Sequence, residues 1–469
     1  MIQSSILNKK FQKIFSVLSC IRQYWVLAFF SSLILQVVGV YNLLPTAVDF
    51  FIFSCMASTG MLILFTQIIL NSFPKINPIN YFFCDNYKIL LTFFWLAIFI
   101  SCIFNINYCF LKNIKELIWD ALSFFLVCSW HESSKNKKII LCLQKLLIFA
   151  CFVLSIASII TFILEINHIF YFEKKIIHVG FIENRLFGAY YNPNMASKLA
   201  FLSLLFSLYF LIADIAKNRK FHIIAIVIEL IYISLSLSRV TLVAMVIVLG
   251  IACFIFLRQH KEKKTTISFF GTVAFCNLII LFNKLINKFF SYLPIIVNKI
   301  SGNRMSIKNH LEIIRLDISQ SGDISNLRFR IWLSAWELFK TTPIFGTSPR
   351  GIVEYAKMVI PDTFIVKKNY LLIHNTYISA FVYTGILGAI FILTFLIKAF
   401  LEVLFFYKKK LFKSDNLYLD FLVISVLAIA IYGIFEQEII FFNTANLLIF
   451  WLFLGEIIKC IKYENHKLI

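Results

Sequence analysis

A chain of 469 residues that is 60% hydrophobic, 17% aromatic and only 15% charged, with a mean hydropathy of +0.84, is too apolar for a soluble globular domain. Apolar runs of about 20 residues recur along most of its length, the pattern of helices that cross a bilayer. The net charge of +21 lies in short clusters between those runs, which reads as topology signal and argues against a nucleic-acid partner.

The N-terminus carries Lys9, Lys10, Lys13 and Arg22 ahead of a long apolar segment, with no small-residue cleavage pattern, so the first helix is expected to be retained. Apolar segments follow at 24–41, 49–70, 89–106, 117–130, 139–164 and 195–215. Six more lie at 222–237, 240–257, 267–282, 377–400, 418–434 and 439–458. The expected fold class is therefore an all-α polytopic membrane protein of about twelve transmembrane helices. The fourth segment is short and is expected to be tilted or re-entrant. Basic clusters at the N-terminus, Lys135/Lys137/Lys138, Lys217/Arg219/Lys220, 258–264, 408–413 and the C-terminus fall on one side if twelve helices alternate. The short loops 42–47 and 436–438 carry no Lys or Arg, and only Lys112 and Lys115 dissent. Positive residues mark the cytoplasmic side, so both termini are expected in the cytoplasm.

That alternation places one large loop, 283–372 between helices 9 and 10, outside. Residues 1–282 and 373–469 form the membrane helices on either side of it, in one integral unit. The loop holds 13 Lys or Arg against 6 Asp or Glu. Long loops escape the charge rule, so its excess reads either as a binding surface or as a solvated basic face. Within it, 327–340 has helical periodicity. Trp332, Trp336 and Phe339 form one stripe, best read as packing on the bundle or the lipid interface. Thr342-Pro343 ends that helix, Gly346 permits a turn, and 352–359 is a second short helix stopped by Pro361.

The 11 cysteines lie mostly in apolar segments and form no C-x-x-C pair. His131-Glu132 is followed by Ser-Ser-Lys, not by the second histidine of a zinc motif. Neither a metal site nor a cofactor is expected. The residues suited to chemistry are Arg239, Arg328, Arg330, His374 and Lys198, all at or near the outer face by this topology. Arg239 sits in a very tight turn and either snorkels or faces a charged ligand. Arg328 lies one turn before Trp332, so a cation–π contact competes with ligand binding. His374, beside Asn375, is either a polar helix terminus or a base for a hydroxyl. A second polar patch runs from Arg185 to Asn194, where Asn192-Pro193 makes a turn and Asn194 a helix cap. Glu229 and Asp120 are carboxyls inside apolar segments with no assigned role.

The ordered set Arg328-x-x-x-Trp332-x-x-Ala335, Pro343-Ile-Phe345-Gly346 and His374-Asn375-x-Tyr377 resembles the O-antigen ligase and polysaccharide polymerase family of bacterial inner-membrane proteins. Phe187-Gly188, Asn192-Pro193-Asn194 and Ser238-Arg239 add to the resemblance. The chain departs from it at Gly346-Thr347-Ser348, where family members often carry Gly-x-Gly, which puts a close backbone approach there in question. The resemblance implies metal-independent glycosyl transfer from a polyprenyl-diphosphate-linked oligosaccharide at the outer face of the cytoplasmic membrane. Arg239 and Arg328 would hold the diphosphate and His374 would activate the acceptor hydroxyl. Arg330, Asn375, Tyr377, Asn192, Asn194 and Lys198 would line the substrate. A repeat-unit polymerase, working with a flippase and a chain-length regulator, is favoured over a ligase acting on a lipid A-core acceptor. A lipid-linked-sugar flippase is the reading from another class, disfavoured because no internal repeat is seen.

Overall fold

The computed structural model describes residues 2–72, 79–129, 135–173, 175–260, 265–301, 313, 325–370, 372–409 and 416–467. Its long helices are α1 Ile2–Val37, α2 Thr46–Ser72, α3 Asn86–Phe104, α4 Phe110–Ala121, α5 Lys135–Ile163, α6 Pro193–Ile212 and α7 Arg219–Ser236. They continue with α8 Arg239–His260, α9 Thr265–Ser301, α10 Arg328–Thr341, α11 Ile352–Val359, α12 Thr376–Lys409, α13 Leu417–Phe435 and α14 Ala445–Lys467. Short polar side chains start several of them. Asp85 accepts from Tyr87 N and Lys88 N. Asn192 accepts from Asn194 N and Met195 N, with Pro193 at the first helical position. Asn218 and Asn416 cap α7 and α13 in the same way. The helix cap expected at Asn194 therefore belongs to Asn192.

Nine helices among the described residues are long and apolar enough to cross a membrane. The other three expected segments do form helix. The fourth is α4 running into a π-helical turn at Leu122–Val127, the seventh is α7, and the twelfth begins six residues later than expected, at Ala445. Each carries several buried or terminal charges, such as Glu116 and Asp120 in α4 and Glu456 in α14, which lowers its apolar character. Two further features differ from the expectation. Helix α9 runs through residue 283, where the outer loop was expected to begin. The connection before α6 folds into an antiparallel sheet, β1 His168–Phe172, β2 Lys175–Ile182 and β3 Arg185–Gly188, in the order β1-β2-β3. Among the described residues the regular structure is thus helical apart from one small sheet.

The bundle has two polar ends. At one, Arg22 donates to Leu126 O and Val127 O, and Lys462 pairs with Asp85 at 3.2 Å. At the other, Val38 bridges Tyr190, Lys175 meets Asp49, Arg185 donates to Ser236 O, and Arg350 pairs with Glu116. Among the described residues, the second end gathers residues from the segments that the charge alternation assigns to the outer side. The aromatic stripe of α10 lies against α12 there: Trp336 and Phe339 stack on each other and both meet Phe381 of α12 edge-on, while Trp336 stays exposed on its outer side.

Helix α12 is broken at Gly385, whose φ of 65° is non-helical. In a bilayer the groups freed by such a break need protein partners. The 343–348 segment supplies them. Ile386 N donates to Pro343 O, Thr347 N to Val382 O and Ser348 N to Tyr383 O. A Cβ on Gly385 would lie 2.0 Å from Ile344 O, so the close approach requires glycine on the helix side. Ser348, where a second glycine was in question, adopts φ 64° and is fully buried. Its Oγ, bonded to Asn113 Nδ2 at 2.9 Å, offsets the strain.

Candidate active site

The short connection between α13 and α14 carries Glu436-Gln437-Glu438, and its three side chains are tied to three different elements. Glu436 accepts from Arg328 Nη2 on Oε1 and meets His374 Nδ1 on Oε2, each at 2.7 Å. Gln437 turns inward and donates to Ser379 Oγ and Tyr383 OH of α12. Glu438 pairs with Lys198 of α6 and accepts from Asn446 Nδ2 at 2.9 Å and Thr444 Oγ1 at 3.2 Å.

Each partner of Glu436 is delivered by its own local structure. Arg328 opens α10, one residue after Leu327 at φ 65°. His374 precedes α12 at φ 53°, a left-handed conformation uncommon outside glycine. It is held on both flanks. Trp332 Nε1 donates to Ile373 O, while Asn375 caps α12 by accepting from Ile378 N and donates to Ile434 O. Thr376 Oγ1 donates to Glu436 O and accepts from Glu438 N. Tyr377 OH donates to Ala430 O.

The electrostatics follow from burial and charge. Burial pushes the Glu436 carboxyl up, but the charge of Lys198, the His374 hydrogen bond and charge, and the Arg328 guanidinium together outweigh it and pull the group down to about 2. An ionised Glu436 accepts a hydrogen bond from Nδ1–H of His374, which leaves Nε2 as the ring's basic nitrogen. The guanidinium of Arg328 keeps further donors, since its buried Nε has no hydrogen-bond partner.

Of the residues expected in the site, the structure brings together Arg328 and His374 through Glu436, with Lys198 behind them on Glu438. Arg328 takes a carboxylate, neither of the two alternatives weighed for it, and Trp332 meets Phe329. Lys198 is committed to an internal ion pair with only 2% of its side chain exposed, which conflicts with its expected place as a substrate contact. Asn192, Asn375 and Tyr377 are occupied by capping and backbone contacts, and Asn194 accepts from Arg185 Nη2 at 2.7 Å. Arg330 is exposed on another face of α10. Arg239 starts α8 and lines a pocket of about 200 Å3 with Ile233, Ser234, Leu237, Ser238, Leu242 and Asn283, none of which belongs to the Glu436 group. Ser238 and Ser197 both hydrogen-bond Thr241, which ties that turn to α6 next to Lys198. Glu436 and Glu438 were missed. Their signal was two carboxylates in a three-residue loop, noted above only for lacking basic residues.

Fold and site together define a polytopic membrane protein with a half-buried acid–histidine–arginine group at one end of its bundle. Residues 224–393, a little over a third of the chain, match the O-antigen ligase family model, and the chain carries a domain of that family. The match contains Arg239, Arg328 and His374, and Glu436 lies beyond it. The chain is also similar to an uncharacterized protein of Haemophilus influenzae, 24% identical over 199 residues. That alignment covers 42% of this chain and about half, 46%, of the relative.

Proposed function

We propose that the chain transfers a glycan from a polyprenyl-diphosphate-linked oligosaccharide at the outer face of the cytoplasmic membrane, extending a polysaccharide by whole repeat units. The observation that carries this reading is the one carboxylate, Glu436, shared by a histidine and an arginine at 2.7 Å each. The membership of 224–393 in the O-antigen ligase family supports it.

The acceptor hydroxyl oxygen attacks the anomeric carbon as its proton passes to Nε2 of His374. The bond from that carbon to the diphosphate breaks, and its electron pair leaves with the diphosphate, inverting the centre. Glu436 holds the ring through Nδ1 and stabilises the imidazolium that forms, the role a buried carboxylate plays beside other catalytic histidines. Negative charge grows on the diphosphate, and this reading assigns Arg328 and Arg239 to meet it. These fixed cations supply the electrophilic assistance, so the reading calls for no metal.

Transfer of a finished glycan to a lipid A-core acceptor is the second reading, favoured by the description of the matching family as O-antigen ligase. Purified protein in nanodiscs, given synthetic polyprenyl-diphosphate oligosaccharide with and without a lipid A-core acceptor, separates them. A ladder of repeat-unit products without acceptor supports polymerisation, and single transfer only with acceptor supports ligation. Intact donor in both mixtures would overturn glycosyl transfer.

A further inference from the structure

The Lys198–Glu438 ion pair is nearly closed to solvent, at 2% and 5% side-chain exposure, and Glu438 stands two residues after Glu436 on the same connection. Taking two charges out of water is expensive, and such a pair adds little net stability compared with apolar side chains of the same size. Its surroundings are nonetheless fully built. The second Glu438 oxygen is taken by Asn446 and Thr444, its backbone N–H by Thr376 Oγ1, and Lys198 O accepts from Tyr432 OH. Thr376 in turn donates to Glu436 O and adjoins Asn375 and His374 in sequence. The pair therefore joins α6 to the α13–α14 connection at the point where that connection delivers Glu436.

We propose that Lys198 and Glu438 form a positioning pair that seats the 436–438 connection on α6, so that Glu436 faces both His374 and Arg328. Neither residue touches substrate. This inference rests on the function proposed above and gives Lys198 a role other than the substrate contact expected of it. The charge of Lys198 also acts directly on Glu436, as one of the influences that keep its carboxyl low. A pair of this kind works as a unit. Removing one member leaves a buried charge uncompensated and drives the connection to rearrange, whereas removing both charges leaves a neutral seat.

The test compares Lys198→Met, Glu438→Gln and the double variant in nanodiscs, read in two ways. With synthetic polyprenyl-diphosphate oligosaccharide, each single variant is expected to lose kcat on the order of 10²-fold, the size of a small misplacement of reacting groups. KM should stay near wild type and the double variant should recover much of kcat. A raised KM in Lys198→Met, with a double variant no better, would make Lys198 a ligand and overturn the proposal. The second readout needs no turnover. Carbethoxylation of His374, followed by mass spectrometry, reports whether the ring still rests on Glu436. The single variants should change its rate and the double variant should return it toward wild type. An unchanged rate in both single variants overturns the positioning role, even if wild-type protein fails to turn over the donor and the functional reading falls by itself.

Discussion

At the scale of single residues, His374, Glu436 and Arg328 divide the chemistry among a base, its holder and a cation. His374→Gln should cost about 10²–10⁴-fold in turnover, the usual range for a lost acid–base group. The protein should remain folded, because the caps on either side belong to Asn375 and Trp332. Comparing thermal stability with turnover checks this, and wild-type turnover from the variant would remove His374 from the mechanism. Arg328→Ala should lose on the order of 10²–10³-fold. Arg328→Lys should recover only part of that, since an ammonium cannot fork between Glu436 and a phosphate. The sign of the Glu436 effect on stability follows from its depressed pKa. Folding holds it near 2 against an ordinary 4.5, so its contribution is complete above about 4.5 and is lost as pH falls toward 2. Wild type should therefore exceed Glu436→Gln in melting temperature at pH 6, and the gap should close on acidification below 4.5. A gap independent of pH would show that Glu436 is not ionised in the fold.

At the scale of elements, the break in α12 and the 343–348 segment form one unit. A side chain at Gly385 meets Ile344 O at 2.0 Å and takes an unfavourable φ besides. Gly385→Ala should thus destabilise by at least about 1–3 kcal/mol, read as a lower melting temperature in detergent. At Ser348 two terms oppose. Ser348→Gly relieves about 1–2 kcal/mol of left-handed strain but gives up a buried hydrogen bond worth about 1 kcal/mol, so it should be close to neutral. Ser348→Ala loses the bond and keeps the strain, and should be the less stable of the two. The reverse order would mean that the left-handed backbone at Ser348 costs nothing. Much at this scale was legible. Helix α10 matches its periodicity to within a residue at each end, and α11 occupies the expected 352–359. The sheet was not foreseen, although Ile169-Phe-Tyr-Phe172 and Ile176-Ile-His-Val179 are β-rich runs separated by a short polar turn. Its aromatic content reads equally well as a continuing membrane segment.

At the scale of the whole molecule, the alternation of basic clusters and the folded bundle agree on which segments share an end. A reporter fused after Asp362, in the turn following α11, is expected outside, and one fused after Lys467 inside. Either result reversed would move the Glu436 group to the cytoplasmic face and end the reading based on an outer lipid-linked donor. A fusion near Ser321 falls outside the described residues but carries the same expectation.

What the sequence determined alone was the class, because apolar length is a local property that a bilayer reads segment by segment, and its Lys/Arg bias sets the expected sidedness. Arg328 and His374 were legible too, since each begins a helix whose start is marked by nearby residues. Tertiary structure alone decided their meeting on Glu436, the withdrawal of Lys198 into an ion pair with Glu438, and the filling of the α12 break by Pro343–Gly346. These contacts join positions 35 to 240 residues apart, and which carboxylate receives which cation depends on how the helices pack, which no local pattern encodes.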